Sequence, residues 1–137
     1  VDIPDSVTEI GSSAFSGCKS LSSVTLPKGL TRISSSLFEN CESLTGIEIP
    51  DGVTAIGDSA FDTTGLTELT LPDGLTELGE YVIGGTQVKS IEIPSSVDLE
   101  KLGSYTFEGA RSLTEIVLHN DISLDRIEMV LTPHEPG

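Results

Sequence analysis

The residues able to do chemistry are few: two histidines, His119 and His134, two cysteines, Cys18 and Cys41, and 22 carboxylates. Nucleophilic catalysis of the Ser-His-Asp kind needs a histidine held within hydrogen-bonding reach of its nucleophile and oriented by a third group. His119 stands at the end of the last strand unit and His134 in a tail, so neither has a rigid setting for that work. G-x-S-x-G, H-E-x-x-H and phosphate-cradling glycine loops do not occur. Two thiols without a nearby His pair fall short of a structural zinc set. Calcium wants roughly six to eight oxygens converging on one point, and carboxylates spread along a chain converge poorly. Carboxylates acting as acid and base need a cleft to hold them. No catalytic, cofactor-binding or metal-binding residue is therefore expected, and the chain reads as non-enzymatic.

Charge narrows the partners. The chain has 137 residues, with 22 Asp+Glu against 7 Lys+Arg, a formal charge of -15. That balance opposes polyanions, so nucleic acids and anionic lipid surfaces are excluded as partners. No window approaches the roughly 18 consecutive apolar residues of a membrane span, and membrane insertion is not expected. Trp is absent and aromatics make up 4% of the chain, which weakens any sugar-stacking platform.

What must position these side chains is a repeat. An apolar-X-apolar-Pro unit opens the chain as Val1-Asp2-Ile3-Pro4 and ends again at Pro27, Pro50, Pro72 and Pro94, with Leu118-His119 in the equivalent place. The spacings are 23, 23, 22, 22 and 25 residues. Before each marker runs L-x-x-V-x-L: Leu21, Val24, Leu26; Leu44, Ile47, Ile49; Leu66, Leu69, Leu71; Val88, Ile91, Ile93; Leu113, Ile116, Leu118. Its final alternation has the period of a strand with one buried face. A turn follows each proline, at Asp5-Ser6, Lys28-Gly29, Asp51-Gly52, Asp73-Gly74 and Ser95-Ser96, with its first corner preset by the proline ring.

Each unit continues with a second apolar pair, Val7/Ile10, Leu30/Ile33, Val53/Ile56, Leu75/Leu78 and Val97/Leu102. Ser12, Ser35, Asp58, Glu80 and Ser104 then stand where a helix N-cap would, and Gly17, Asn40, Gly85 and Gly109 where a left-handed residue would end the turn. The pattern predicts one short helical turn per coil. A lone coil cannot cover its own apolar face, so consecutive coils must stack. In that register Phe15, Phe38, Phe61 and Phe107, continued by Ile83, form a buried spine. Cys18 and Cys41 share a column one coil apart, where stacked strands lie about 4.8 Å apart, within disulfide reach. Because stacked side chains point the same way, two free, buried thiols are favoured over a bridge.

The string I-P-D-S-V-T-E-I-G-S-S-A-F-S-G-C-K-S-L-S-S-V-T-L-P, beginning at Ile3 and ending at Pro27, resembles the BspA-like bacterial leucine-rich repeats. The resemblance implies an α/β repeat fold: a right-handed leucine-rich-repeat solenoid with one parallel sheet and short helical turns. The glycine at Gly11, Gly57, Gly79 and Gly103 becomes Ser34 in one repeat, and Val82-Ile83 and Thr106-Phe107 depart from Ala-Phe. A parallel β-helix is the competing architecture. The solenoid is assigned to residues 1–119, about five repeats; residues 120–131 to a C-terminal capping strand or short helix; residues 132–137 to a loose tail. Val1 begins inside a strand unit, so more repeats or a cap, and an export signal, are expected upstream in a longer chain. The resemblance further implies an extracellular or cell-surface location.

The side chains between the buried strand residues should project into solvent: Ser23 and Thr25; Gly46 and Glu48; Glu68 and Thr70; Ser90 and Glu92; Glu115 and Val117. Of these, Thr25, Glu48, Glu68, Thr70, Glu92, Glu115 and Val117 form the candidate binding face, an acidic, hydroxyl-bearing ridge on rigid strands. The alternative is a solvated surface that keeps the sheet soluble. The resulting expectation is a protein-binding or adhesion module of a secreted or cell-surface bacterial protein, whose partner is a protein or another host or community surface component. The rivals are a structural spacer in a larger surface or polysaccharide-processing protein, and a carbohydrate-binding module, for which the partner would be a glycan.

Overall fold

The computed structural model describes residues 1–119; the segments 120–131 and 132–137 lie outside the described residues. Proline-to-proline segments 4–26, 27–49, 50–71, 72–93 and 94–118 form successive coils (coils 1 to 5), each hydrogen-bonded to the next. The amides of Val7, Leu30, Val53, Leu75 and Val97 donate to the carbonyls of Pro4, Pro27, Pro50, Pro72 and Pro94. The expected turns are present, but each proline is the first residue of its turn and not a corner. Its ring ends the strand by removing a donor, and its carbonyl closes the turn.

Parallel pairing occurs at two places in the coil. The three-stranded sheet comprises β1 (Arg32–Ile33), β2 (Ala55–Ile56) and β3 (Glu77–Leu78), with Ile33, Ile56 and Leu78 in register. The two-stranded sheet pairs β4 (Ser90–Ile93) with β5 (Glu115–Leu118), Ile91 facing Ile116 and Ile93 facing Leu118. The single sheet expected through every L-x-x-V-x-L segment is thus corrected. In that column regular pairing is confined to coils 4 and 5, with an isolated parallel bridge between Asp2 and Thr25. β4 and β5 carry Ile91, Ile93, Ile116 and Val117, whereas coil 2 has Gly46 and coil 3 has Leu69 and Leu71; β-branched residues suit a pleated, half-buried surface better.

The helical turns are a second correction: no α-helix occurs among the described residues. Ser13, Ser36, Ser59 and Tyr81 lie in the left-handed region at φ 61°, 57°, 57° and 57°, and four residues later Gly17, Asn40, Thr63 and Gly85 do so again. A left-handed residue so early prevents a helix from propagating and turns alternate amides outward. The amides of Ser13, Phe15 and Gly17 donate to Ser35, Leu37 and Glu39 of the next coil at 3.0, 3.1 and 2.8 Å. Those between them, Ala14, Ser16 and Cys18, donate three residues back, to Gly11, Ser13 and Phe15. Ser36, Phe38 and Asn40 repeat the pattern toward Asp58, Ala60 and Asp62. The expected N-cap at Asp58 caps the next coil instead, its Oδ1 accepting the Glu80 amide at 2.8 Å. A 3-10 turn at Leu99–Lys101, capped by Asp98, occupies the insertion that lengthens coil 5.

Stacking in phase builds the core. Phe15 and Phe38 lie 5.6 Å apart between ring centroids at 9°, and Phe38 and Phe61 5.7 Å apart at 11°. Phe38, Phe61 and Ile83 are fully buried, while Phe15 and Phe107, in the outermost described coils, are half-buried. Phe38→Ala is expected to cost about 3 to 5 kcal/mol through the cavity it opens. Phe15→Ala, covered from one side only, should cost less; urea denaturation of the two variants checks the order.

The glycine column is set by proximity. A Cβ on Gly57 would meet the Ser35 nitrogen at 2.6 Å, and one on Gly79 the Asp58 nitrogen at 2.6 Å, whereas on Gly103 the nearest atom lies at 3.6 Å. Coil 2 departs from glycine because the Ser34 hydroxyl donates to the Ile10 carbonyl at 2.5 Å. Gly57→Ala and Gly79→Ala should therefore each destabilise by about 1 to 3 kcal/mol through overpacking, and Gly103→Ala should leave the denaturation midpoint nearly unchanged.

Both cysteines are free, as favoured, but only Cys41 is buried; Cys18, in coil 1, is exposed. The Cys41 thiol donates to the Phe15 carbonyl at 3.0 Å, and burial pushes its pKa above the ordinary thiol value. Fewer thiolates form at a given pH, and access is blocked. A thiol reagent should accordingly label one cysteine, Cys18, in the native protein near pH 8, and Cys41 only after unfolding.

Candidate binding face

The two columns facing outward are set by strand period. In β4 and β5 the buried Ile91 and Ile93 alternate with exposed Ser90 and Glu92, and Ser90 pairs with Glu115 and Glu92 with Val117. Thr25, Glu48, Glu68, Thr70, Glu92 and Glu115 are exposed, and Val117 is half-buried. The expected face therefore exists as a surface.

Its charges are spaced in a regular way. The repeat register makes one column Asp2, Thr25, Glu48, Thr70, Glu92 and Val117, in which the Asp2–Thr25 and Glu92–Val117 contacts are direct parallel pairs. The other column runs Ser23, Gly46, Glu68, Ser90 and Glu115. In neither does one carboxylate stack directly on another, and like charges placed directly opposite are destabilising. The Ser90 hydroxyl donates to Glu115 Oε1 at 2.8 Å. His119 Nε2 contacts Glu92 Oε1, so this histidine, expected to lack a fixed setting, is paired across adjacent coils.

The face is creased by two shallow open grooves. The larger, about 600 Å³, is lined by Glu68, Thr70, Asp73, Ser90, Glu92 and His119 among others. The smaller, about 330 Å³, is lined by Ile47, Glu48, Asp51, Thr70 and Asp73 among others. Thr70, Leu71 and Asp73 line both, so the two grooves adjoin on either side of these residues. Neither lining contains Lys or Arg among the described residues. Thr25, Glu115 and Val117 stand outside both linings.

Asp51, Asp73 and Ser95 were expected only as turn residues; they are walls of the grooves because each turn begins where its strand ends. Placement beside the strand column is the signal that marks them. A third concavity, about 320 Å³ beside β1 to β3, mixes Arg32 and Lys101 with Asp58, Glu77 and Asp98 and so favours neither sign of charge. Among the described residues no group of three His, Cys, Asp or Glu side chains is placed to hold a metal ion. The arrangement offers rigidly held acceptors and hydroxyls on an open surface, which suits recognition by shape and charge.

Solved structures of three bacterial proteins are similar to this fold. A leucine-rich repeat protein of T. pallidum matches with a TM-score of 0.64 and 25% identity, over 87% of this chain and 70% of that one. A leucine-rich cell surface protein of Faecalibacterium prausnitzii matches at 29% identity and a TM-score of 0.53, over 98% of this chain and 29% of the other. A leucine-rich repeat protein of Bacteroides ovatus matches at 29% identity and a TM-score of 0.56, over 86% of this chain and 42% of the other. The chain thus spans less than half the length of the latter two. No curated protein sequence matches it. The BspA type leucine-rich repeat region matches residues 1–114 in six copies, and with the repeat register, parallel pairing and neighbouring structures in agreement, the chain belongs to that family.

Proposed function

We propose that this chain is a non-enzymatic protein-binding or adhesion module of a secreted or cell-surface bacterial protein, built as a right-handed solenoid and contacting its partner through the Glu48–Glu68–Glu92 face. The observation that carries the reading is the pair of adjoining acidic grooves, with exposed carboxylates and hydroxyls and no Lys or Arg in their described linings. Side chains on a backbone hydrogen-bonded from coil to coil lose little freedom on binding, so a modest contact area suffices. A cell-surface location is supported by the name of the F. prausnitzii protein, a leucine-rich cell surface protein.

The favoured partner is a surface protein that presents basic or hydroxyl-rich groups, steered to the groove by charge and held by shape. Reversal of Glu48, Glu68 and Glu92 to Lys should reduce capture of surface-extract proteins by about tenfold or more, since like charges facing a basic partner cost several kcal/mol. The three sites are exposed, so the melting temperature should hold. Unchanged capture by the folded triple variant rejects the sheet face and favours the spacer, for which truncating the array would change reach and leave affinity alone.

A further inference from the structure

The two tyrosines of the chain stand in one column, in coils 4 and 5, where the three preceding coils carry Ser13, Ser36 and Ser59. Tyr81 and Tyr105 stack with ring centroids 5.7 Å apart at 23°. They are 37% and 40% exposed and take no part in the buried spine. Tyr81 also holds φ 57°, a left-handed conformation unfavourable for a bulky side chain. Serine builds the same turn at φ 61°, 57° and 57° in coils 1 to 3, so folding does not require the rings.

The pair has an open end. One face of Tyr81 rests on Tyr105; on the side of coil 3 the repeat register supplies Ser59, whose amide donates to the Glu80 carbonyl at 2.8 Å and whose side chain is far smaller than a ring. Carboxylates flank the step. Glu80 adjoins Tyr81, and Glu108 closes the Tyr105 turn, its amide donating to the Tyr105 carbonyl at 3.1 Å. The Asp62 carboxylate, which accepts from Thr63 Oγ1 at 2.8 Å, lies against Gly84, the residue whose amide closes the Tyr81 turn. Desolvation, then the neighbouring Tyr105 phenol and the charges of Glu80, Glu108 and Asp62, push the pKa of the Tyr81 phenol above its ordinary value.

We infer that the Tyr81–Tyr105 step is a docking point for an arginine-bearing segment of a partner protein, the guanidinium lying on the open face of Tyr81 above Ser59 and held by Asp62 and Glu80. A planar guanidinium stacks on an aromatic face and forks onto a carboxylate at once, which an ammonium or a neutral sugar does not do. The chain's charge of -15 draws such a segment in. This surface is separate from the acidic grooves and stands or falls independently of them.

The chain has two Tyr and no Trp, so its intrinsic fluorescence reports from this step alone. A blocked Gly-Arg-Gly-Arg-Gly peptide titrated at physiological ionic strength should change tyrosine emission saturably. By calorimetry, Tyr81→Ser with Tyr105→Ser should weaken the peptide about tenfold or more while keeping the melting temperature, because serine is the residue of the column. Tyr81→Phe should retain affinity, and a blocked Gly-Lys-Gly-Lys-Gly peptide should bind about tenfold more weakly than the arginine peptide. Equal affinity in the serine variant, equal binding of the lysine peptide, or a preference for a neutral cello-oligosaccharide over the arginine peptide would each overturn the assignment.

Discussion

The structure depends on a shared set of amides. In the turn that follows the second apolar pair, every second N–H is given to the neighbouring coil, from Ser13, Phe15 and Gly17 onward. The intervening amides close local turns. A buried backbone donor must find a partner, and here half of each turn's donors find theirs one coil away. Side chains extend the same device: the hydroxyls of Ser34, Ser43, Thr54, Thr76 and Ser96 donate to carbonyls of the preceding coil. Among the described residues no buried side-chain nitrogen or oxygen lacks a partner. The core follows from this bonding, since amides that reach across at fixed intervals also hold Phe38 over Phe61.

The same phase that stacks apolar residues would stack charges, and a chain this acidic has to deal with that. On this face coils 2 to 5 each carry one exposed glutamate, shifting between two columns from Glu48 to Glu68 to Glu92 to Glu115, which separates neighbouring carboxylates diagonally. Hydroxyls fill the alternate sites, and the Ser90 bond to Glu115 uses one of them. Repulsion within the sheet is thereby limited while the face keeps its sign. The result is a surface that is acidic over its length without a like-charged pair directly opposite in either column.

Side-chain columns were legible from the sequence because a repeat places equivalent residues in equivalent environments. The Phe15–Phe38–Phe61 spine, the alternation at Ile91 and Ile93 and the exposure of Glu48, Glu68 and Glu92 all follow from position within the coil. Backbone conformation was less legible. Ser13, Ser36 and Ser59 adopt positive φ although serine has no strong preference for it, so a turn built from two left-handed residues resembles a helix start in one-dimensional form. Cys18, placed by its column beside Cys41 as a buried thiol, is exposed. The groove walls Asp51 and Asp73 and the His119–Glu92 contact need cross-coil register, which spacing alone does not supply.

Coil length varies from 22 to 25 residues while cross-coil bonding continues: the amides of Tyr81 and Gly85 still reach coil 5, one residue further along at Tyr105 and Gly109, and the short turn at Leu99–Lys101 takes up extra residues. The partners of each coil are drawn from its immediate neighbours, so an added or lost unit leaves distant coils unaltered. An array of this kind can therefore be lengthened or shortened by whole units, so that its reach changes in steps of one coil while the remaining joints keep their geometry.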